Sequence, residues 1–332
     1  MREANPYRVW VEYSNVMPSG QNGRRILSIG TDATIFQRGT PARSRLEAYA
    51  RVLDDLHVIG LTRPGFRSAR PHPRLALYPT NARFSLFQSL AAYRIGKFIL
   101  RRHRIDLLTA QDPAESGIAA WLLKRVSGIP LHIQVHTDIL SPAFRKNSWK
   151  EYIRYRIARF IIARGDHFRV VSRRIYDSLR SELSVPPSRI TLLPIFVDRE
   201  AIANARPAFD LGARYPAFDF IILMVSRLNR DKRIDIALEA FAEFRKEFPK
   251  AGLVIAGDGP EREKLKVKSE KLKVAEGVVF VGWQEDFIPY YKGADLYLLT
   301  SAFEGYARTV IEAVAAGLPV VMTDVGVAGE LI

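Results

Sequence analysis

ADLYLLTSAFEGYARTVIEAVAAGLPVVMTD, residues Ala294–Asp324, is the stretch on which the fold turns. Asp295–Ser301 is a nearly unbroken apolar run, the pattern of a parallel strand covered on both faces. Thr309–Ala316 has helical spacing, after which Gly317 suits a left-handed C-cap and Pro319 blocks continuation. A second buried run, Pro319–Thr323, follows. This order places Glu304 in the loop at the carboxyl end of one strand and Glu312 one to two turns into the next helix. Open α/β sheets bind ligands at that edge, and a helix N-terminus there offers unpaired N–H groups to an anion. Two carboxylates beside such a site suit a ligand that carries both phosphate and hydroxyl groups.

Outward from this stretch, short apolar runs alternate with helical patterns, which predicts α/β architecture with parallel sheets. The earlier runs are Ile26–Gly30, His57–Leu61, Leu75–Tyr78, Asp106–Thr109, His132–His136, Phe168–Ser172 and Ile190–Ile195. Helical stretches between them include Ala42–Leu53, Ser85–Arg102, Ala114–Val126, Trp149–Ala163 and Arg174–Leu183. Periodicity lapses around Ala201–Pro216, and the strand pattern restarts at Ile221–Val225, Leu253–Ala256 and Val278–Val281. The expected division is an N-terminal extension over 1–23, a first domain over 24–200, a linker over 201–217 and a second domain over 218–332.

The chain of 332 residues suffices for two cores. It contains no cysteine, which excludes disulfides, thiolate metal sites and a cysteine nucleophile. No apolar run approaches the roughly 20 residues needed to span a bilayer, and MREANPYRVWVEYSN at the start has no signal-peptide core. A cytoplasmic location is therefore expected. The net charge of +15 is uneven: residues 1–200 hold 33 Lys and Arg against 16 Asp and Glu, while residues 201–332 hold 17 against 19. Nucleic acid, an anionic membrane surface or an anionic substrate would each account for a basic first half, as would arginine-rich composition alone. No nucleic-acid-binding module is recognisable, so no nucleic acid is expected as a partner.

In Ile221–Phe241 a buried strand, a turn and an amphipathic helix follow one another. Arg227 leaves the strand end and Lys232 enters the helix, so both would point over the same edge as Glu304. Two fixed cations there would hold a diphosphate and stabilise the charge it gains as a leaving group; a solvated basic turn is the plainer reading. The turn Gly257-Asp258-Gly259-Pro260 would admit a ligand close to backbone or simply make a tight connection. Gln111, Asp112 and Glu115 open a helix and would suit acceptor hydroxyls, although Asp112 followed by Pro113 is also a helix-capping pattern. Gly39 and Thr40 follow the first strand, and Arg43 and Arg45 beyond them would meet an anionic acceptor. Arg145–Arg164 (RKNSWKEYIRYRIARFIIAR) reads as an amphipathic basic helix. Trp149, Tyr152, Tyr155, Phe160 and Ile161 supply its apolar area. Such a helix is either an ordinary domain helix or a peripheral contact with an anionic membrane. No metal cluster is evident.

Ordered together, SRLNRDKRID, AGDGPER, VGW, ADLYLLTSAFEG and the Glu-x7-Glu pair resemble the donor half of family 4 retaining glycosyltransferases of the GT-B fold. The first half is similar more loosely, through GTDATIFQRGTPARSR, TAQDPAESG, QVHTD, RVVSRRI and LPIFVD. The resemblance implies two Rossmann-like domains with parallel sheets facing across a cleft. It implies a nucleotide-diphosphate sugar held mainly by the second domain, an acceptor on the first, and no bound metal or other cofactor. By the same resemblance Arg227 and Lys232 grip the diphosphate. Glu304 binds sugar hydroxyls near the reacting carbon, the amides of Gly305, Tyr306 and Ala307 contact sugar and phosphate, and Glu312 binds ribose. His136 matches a histidine that reaches toward the transferred sugar. The implied function is transfer, with retention, to a glycan or lipid-linked acceptor of the cell envelope, on or near the inner face of the membrane. A sugar-nucleotide epimerase and an inactive GT-B scaffold are the alternatives.

Two departures stand out. Family members commonly carry Gly-Phe-Gly where this chain has Gly305-Tyr306-Ala307, so a methyl group would narrow donor choice. They also continue past the equivalent of Ile332 with another strand and closing helices, so the sequence reads as shortened at that end.

Overall fold

The computed structural model describes residues 25–331; the expected extension over 1–23 lies outside the described residues. Two compact units are present. The first is built on β1 (Arg25–Gly30), β2 (Asp55–Gly60), β3 (Ala69–His72), β4 (Leu75–Pro79), β5 (Leu107–Ala110), β6 (Leu131–Val135), β7 (His167–Val170) and β8 (Ile190–Leu192). They form one sheet in the order β3-β4-β2-β1-β5-β6-β7-β8. Every pairing is parallel except β3 with β4. The edge strand β3, ARPH, carries no apolar run and so escapes a reading based on hydrophobicity.

The second unit holds β9 (Phe220–Val225), β10 (Ala251–Ala256), β11 (Val278–Gly282), β12 (Leu296–Leu299) and β13 (Val320–Met322), all parallel, in the order β11-β10-β9-β12-β13. This unit takes in Ser141–Asn147, Ser172–Arg174 and residues from Pro194 onward, and the stretch read as a linker overlaps the short helix Arg199–Asn204 and contains a second, Leu211–Arg214, each capped by an aspartate.

The cores follow from the buried runs. Ile26, Leu56, Val58, Leu75 and Leu77 pack with Leu46 and Ala50 of the helix Pro41–Val52. In the second unit Ile222, Met224, Leu253 and Ile255 pack against Leu238 and Phe241 of the helix Ile234–Glu247. Each such side chain contributes about 1.5–3 kcal/mol on leaving water, which holds helices to sheet faces and leaves the strand ends free to carry chemistry.

In each sheet the chain builds outward in one direction and then returns to build in the other. The change of direction falls between β1 and β5 in the first sheet and between β9 and β12 in the second. Such a divergence, at the carboxyl ends of the strands, is where open α/β sheets bind ligands.

Candidate donor and acceptor sites

At the β9/β12 divergence, β9 ends at Val225 and β12 at Leu299. Arg227 follows the first with its side chain exposed. Lys232 does not enter the helix, as the spacing suggests, but closes a 3-10 turn over Arg230–Lys232. Arg233 then takes a left-handed conformation, φ 50°, and the helix starts at Ile234. Thr300 Oγ1 donates to the Lys232 carbonyl at 2.9 Å and the Ala302 amide to the Asp231 carbonyl at 2.8 Å, pinning the two loops together.

That pinning brings Lys232 Nζ to 2.7 Å from Glu304 Oε1 and 3.3 Å from Asp231 Oδ2. Ser301 Oγ also donates to Glu304 Oε1, at 2.8 Å. Their side chains are 11% and 18% exposed, so the Lys232–Glu304 pair is sheltered from water yet open on one side. The family resemblance implies phosphate for one residue and sugar for the other; the fold makes them direct partners.

Glu312 sits on the helix Arg308–Ala315. Arg308 pairs with its Oε1 at 2.8 Å, and Tyr291 OH donates to Oε2 at 3.0 Å. Burial, followed by the proximity of Tyr297 and Glu312, raises the Tyr291 phenol well above its ordinary range, so it stays a donor. Burial likewise raises Tyr297, which donates to the Val225 carbonyl at 3.2 Å and lies 2.7 Å from Thr309 Oγ1. These partners lay beyond the sequence reading, although Arg308 and Glu312 stand at the i,i+4 spacing of a helical ion pair.

Gly305, Tyr306 and Ala307 are buried, and Ala307 caps the helix with φ 64° and ψ 56°. This left-handed conformation suits glycine and costs an alanine about 1 kcal/mol. Gly317, with φ 91°, follows the same helix as expected of a C-cap. The turn Gly257–Pro260 lies against the protein itself: a Cβ on Gly257 would stand 1.9 Å from the Ser226 carbonyl oxygen. The tight-connection reading accounts for that glycine.

In the first unit, β1 and β5 end at Gly30 and Ala110. Gln111 crosses directly over Gly30, where a Cβ would meet Gln111 Oε1 at 2.2 Å. Asp112 Oδ1 accepts from the amides of Ala114 and Ser116 at 2.8 and 3.3 Å, and Ser116 Oγ donates to Oδ2 at 2.5 Å. The helix starts at Glu115 with Ala114 as its N-cap, two residues later than the capping pattern predicts, so Asp112 braces the turn ahead of the helix instead of capping it; burial raises its carboxyl above the usual range. Glu115 pairs with Arg154 at 2.9 Å. Gly39 is exposed with φ 78° and precedes Thr40, the N-cap of the helix Pro41–Val52.

Arg43 is turned inward rather than toward a ligand. It is 7% exposed, pairs with Glu47 at 2.8 Å and donates to the Ile35 carbonyl at 3.0 Å. Arg45 is exposed. His136 follows β6, with Nε2 2.9 Å from Gln134 Oε1. Burial, reinforced by Arg169 and Arg45, lowers its pKa to about 4, so the imidazole is neutral at pH 7.

The basic stretch Arg145–Arg164 is not one helix. It breaks at Ser148, whose extended backbone and side chain cap a second helix, Trp149–Ile162; Ser148 Oγ also bonds the Glu151 carboxylate. Tyr155 and Ile161 belong to the core, while Trp149, Tyr152, Ile153 and Phe160 are exposed. Among the described residues no helix is long and apolar enough to cross a membrane.

At the direction change of the second parallel sheet Lys232 lies against Asp231 and Glu304, Arg308 lies against Glu312, and Arg227 is exposed after β9, at the edge where open α/β sheets bind ligands. The family described as Glycosyltransferase Family 4 matches residues 42–201, and that described as Glycosyl transferases group 1 matches residues 215–332. The chain belongs to glycosyltransferase family 4. It is 24% identical over 264 residues to alpha-monoglucosyldiacylglycerol synthase of Acholeplasma laidlawii, covering 71% of this chain and 64% of that one. It is 26% identical over 287 residues to N-acetyl-alpha-D-glucosaminyl L-malate synthase of Bacillus anthracis, covering 84% and 73%. The chain therefore spans just under two thirds of the first relative's length. Anabaena HepE in complex with UDP and glucose superposes with a TM-score of 0.69 at 19% identity, covering 93% of this chain and 83% of that one. Its likeness establishes the GT-B fold.

Proposed function

We propose that this chain is a retaining glycosyltransferase that moves a sugar from a nucleotide-diphosphate sugar to a hydroxyl of a glycan or lipid-linked acceptor of the cell envelope. The observation that carries this reading is the convergence of Lys232 and Glu304, 2.7 Å apart, at the β9/β12 divergence, with Arg227 exposed after β9. Lys232 retains further N–H donors while bonded to Glu304. With Arg227 it would hold the diphosphate and offset the charge that grows as the bond from the anomeric carbon to the phosphate oxygen breaks. Glu304 would accept from sugar hydroxyls and Glu312, oriented by Arg308 and Tyr291, from ribose hydroxyls. The amides of Gly305, Tyr306 and Ala307 would contact sugar and phosphate. None of these roles requires a metal.

Retention is assigned to same-face displacement. The acceptor oxygen bonds the anomeric carbon as the diphosphate leaves, and the acceptor proton passes to the departing phosphate oxygen. Since Glu312 is engaged elsewhere, no paired carboxylate of the glycosidase kind is invoked. On the first unit, Gln111 and Glu115 would bind acceptor hydroxyls near Gly39, and neutral His136 would hydrogen-bond a sugar hydroxyl.

Alpha-monoglucosyldiacylglycerol synthase is a glycolipid synthase by name. The exposed Trp149, Tyr152 and Phe160 beside Arg156 and Arg164 accord with a peripheral contact on an anionic membrane. Screening UDP-, GDP- and ADP-sugars for binding and slow hydrolysis tests the donor assignment, with Glu304→Ala and Lys232→Ala as controls. Binding by at least one donor, lost in Lys232→Ala, is expected. Failure of every donor to bind would remove the assignment. Flotation with acidic liposomes tests the membrane contact: salt-sensitive binding is expected, and its absence would remove that part alone.

A further inference from the structure

The first unit gathers Asp55, His57 and His103 at the amino edge of its sheet, one strand's length from the edge that carries Gly39, Gln111 and His136. Asp55 and His57 are two apart on β2 and therefore share one face. His103 comes from the connector between the helix Gln88–Leu100 and β5, and its amide is anchored to the Ile99 carbonyl at 2.8 Å. Two imidazoles thus approach one carboxylate oxygen. Asp55 Oδ2 lies 2.9 Å from His57 Nε2 and 3.6 Å from His103 Nδ1, and one candidate ligand atom from each residue lies within 4.8 Å of the other two.

We propose that Asp55, His57 and His103 form a zinc-class divalent cation site that ties β2 to the connector preceding β5. Metal–ligand bonds of about 2.0–2.1 Å at tetrahedral angles put ligand atoms roughly 3.3 Å apart. The two separations from Asp55 Oδ2 straddle that value. His103, 32% exposed, has room to rotate and close the third edge. His57 is fully buried, and its Nδ1 lies 3.1 Å from Tyr78 OH. An outer-shell bond of this kind orients a ligating histidine and selects which ring nitrogen faces the metal. Two neutral imidazoles with one carboxylate form a donor set favoured by zinc and its first-row neighbours. Three protein ligands, two of them partly exposed, leave the remaining position to water. The chain has no cysteine to compete for the metal.

The alternative is a His57–Asp55 hydrogen bond with His103 merely packed beside it, the two rings being tilted by 56° with centroids 4.3 Å apart. ZnCl2 titration of the full chain, after EDTA treatment and desalting, separates the two. One zinc is expected to bind wild type, and His103→Ala is expected to weaken that binding at least tenfold. Asp55→Asn, which keeps a hydrogen-bonding side chain but removes the charge, should weaken it as well. Cobalt substitution should produce visible d–d absorption in wild type that His103→Ala loses. Melting of His103→Ala without metal checks that this partly exposed substitution leaves the fold intact; His57→Ala is avoided because it would empty a buried position. Absence of saturable zinc binding to wild type, or equal zinc affinity in a folded His103→Ala, would overturn the proposal.

Discussion

Where the second sheet changes direction, charged side chains face one another: Lys232 meets Glu304 and Asp231, and Arg308 meets Glu312. Where the first changes direction, the polar groups are turned onto the protein's own frame. Asp112 accepts from the amides of Ala114 and Ser116, Arg43 binds a carbonyl and a neighbouring glutamate, and Gln111 lies across Gly30. An ion pair open on one side can exchange a partner for a charged ligand at modest cost, because both charges are already partly desolvated. A carboxylate already bonded to amides has less capacity to offer. The proposed roles follow that contrast, with the anion held by the second unit and the acceptor on the first.

The largest expected effect breaks this contrast at its charged end. A hydrogen bond to a charged group is worth about 1.5–3 kcal/mol, so Lys232→Ala should weaken nucleotide-sugar binding roughly tenfold to 150-fold. Calorimetry should find Asp112→Ala unchanged in the same assay; equal losses in both would end the division of labour.

Acid should separate the units next. All six histidines precede residue 168. Burial, aided by His167 and Arg169, holds His132 at about 3, and burial with Arg169 and Arg45 holds His136 at about 4. The unfolded chain takes up these protons near pH 6.5 while the folded chain does not. Stability should therefore fall as pH drops from about 6.5 toward 4, by about 1.4 kcal/mol per pH unit for each histidine. Urea unfolding at several pH values measures this, and His136→Gln should make the dependence shallower. A flat profile would contradict the buried, neutral state of these rings.

Smaller effects sharpen the two loops. Asp112→Ala should cost about 1 kcal/mol through the lost bonds to the Ala114 and Ser116 amides, read as a lower melting temperature; no loss would mean that those bonds are idle. Ala307→Gly should gain about 1 kcal/mol by relieving the left-handed alanine. If the added methyl restricts the sugar, the same change should widen the range of donors hydrolysed. A destabilised variant would show that the methyl packs better than the backbone strains.

Much of this was readable from residue order. Glu304 and Glu312 stand at a strand end and on the following helix because an apolar run, a helical period and Gly317 mark those boundaries. Ser148 and Glu151 carried a capping signal inside the basic stretch, which its charge obscured. The polar edge strand β3 gave no apolar signal. Asp55 and His57 show a strand's alternation, but His103 is remote in sequence and reaches them only through the packing of helix and sheet.

The sequence by itself determined the alternation of strand and helix, the family and the types of side chain at each strand end. Local propensity and hydrophobic period act over a few residues and are written in their order. Only the tertiary structure decided that Lys232 and Glu304 are partners, that Arg43 turns inward and that Asp55, His57 and His103 converge. Those outcomes depend on which strands lie side by side and on which charges must find partners when water is withdrawn. Neither is specified until separate stretches of the chain pack together.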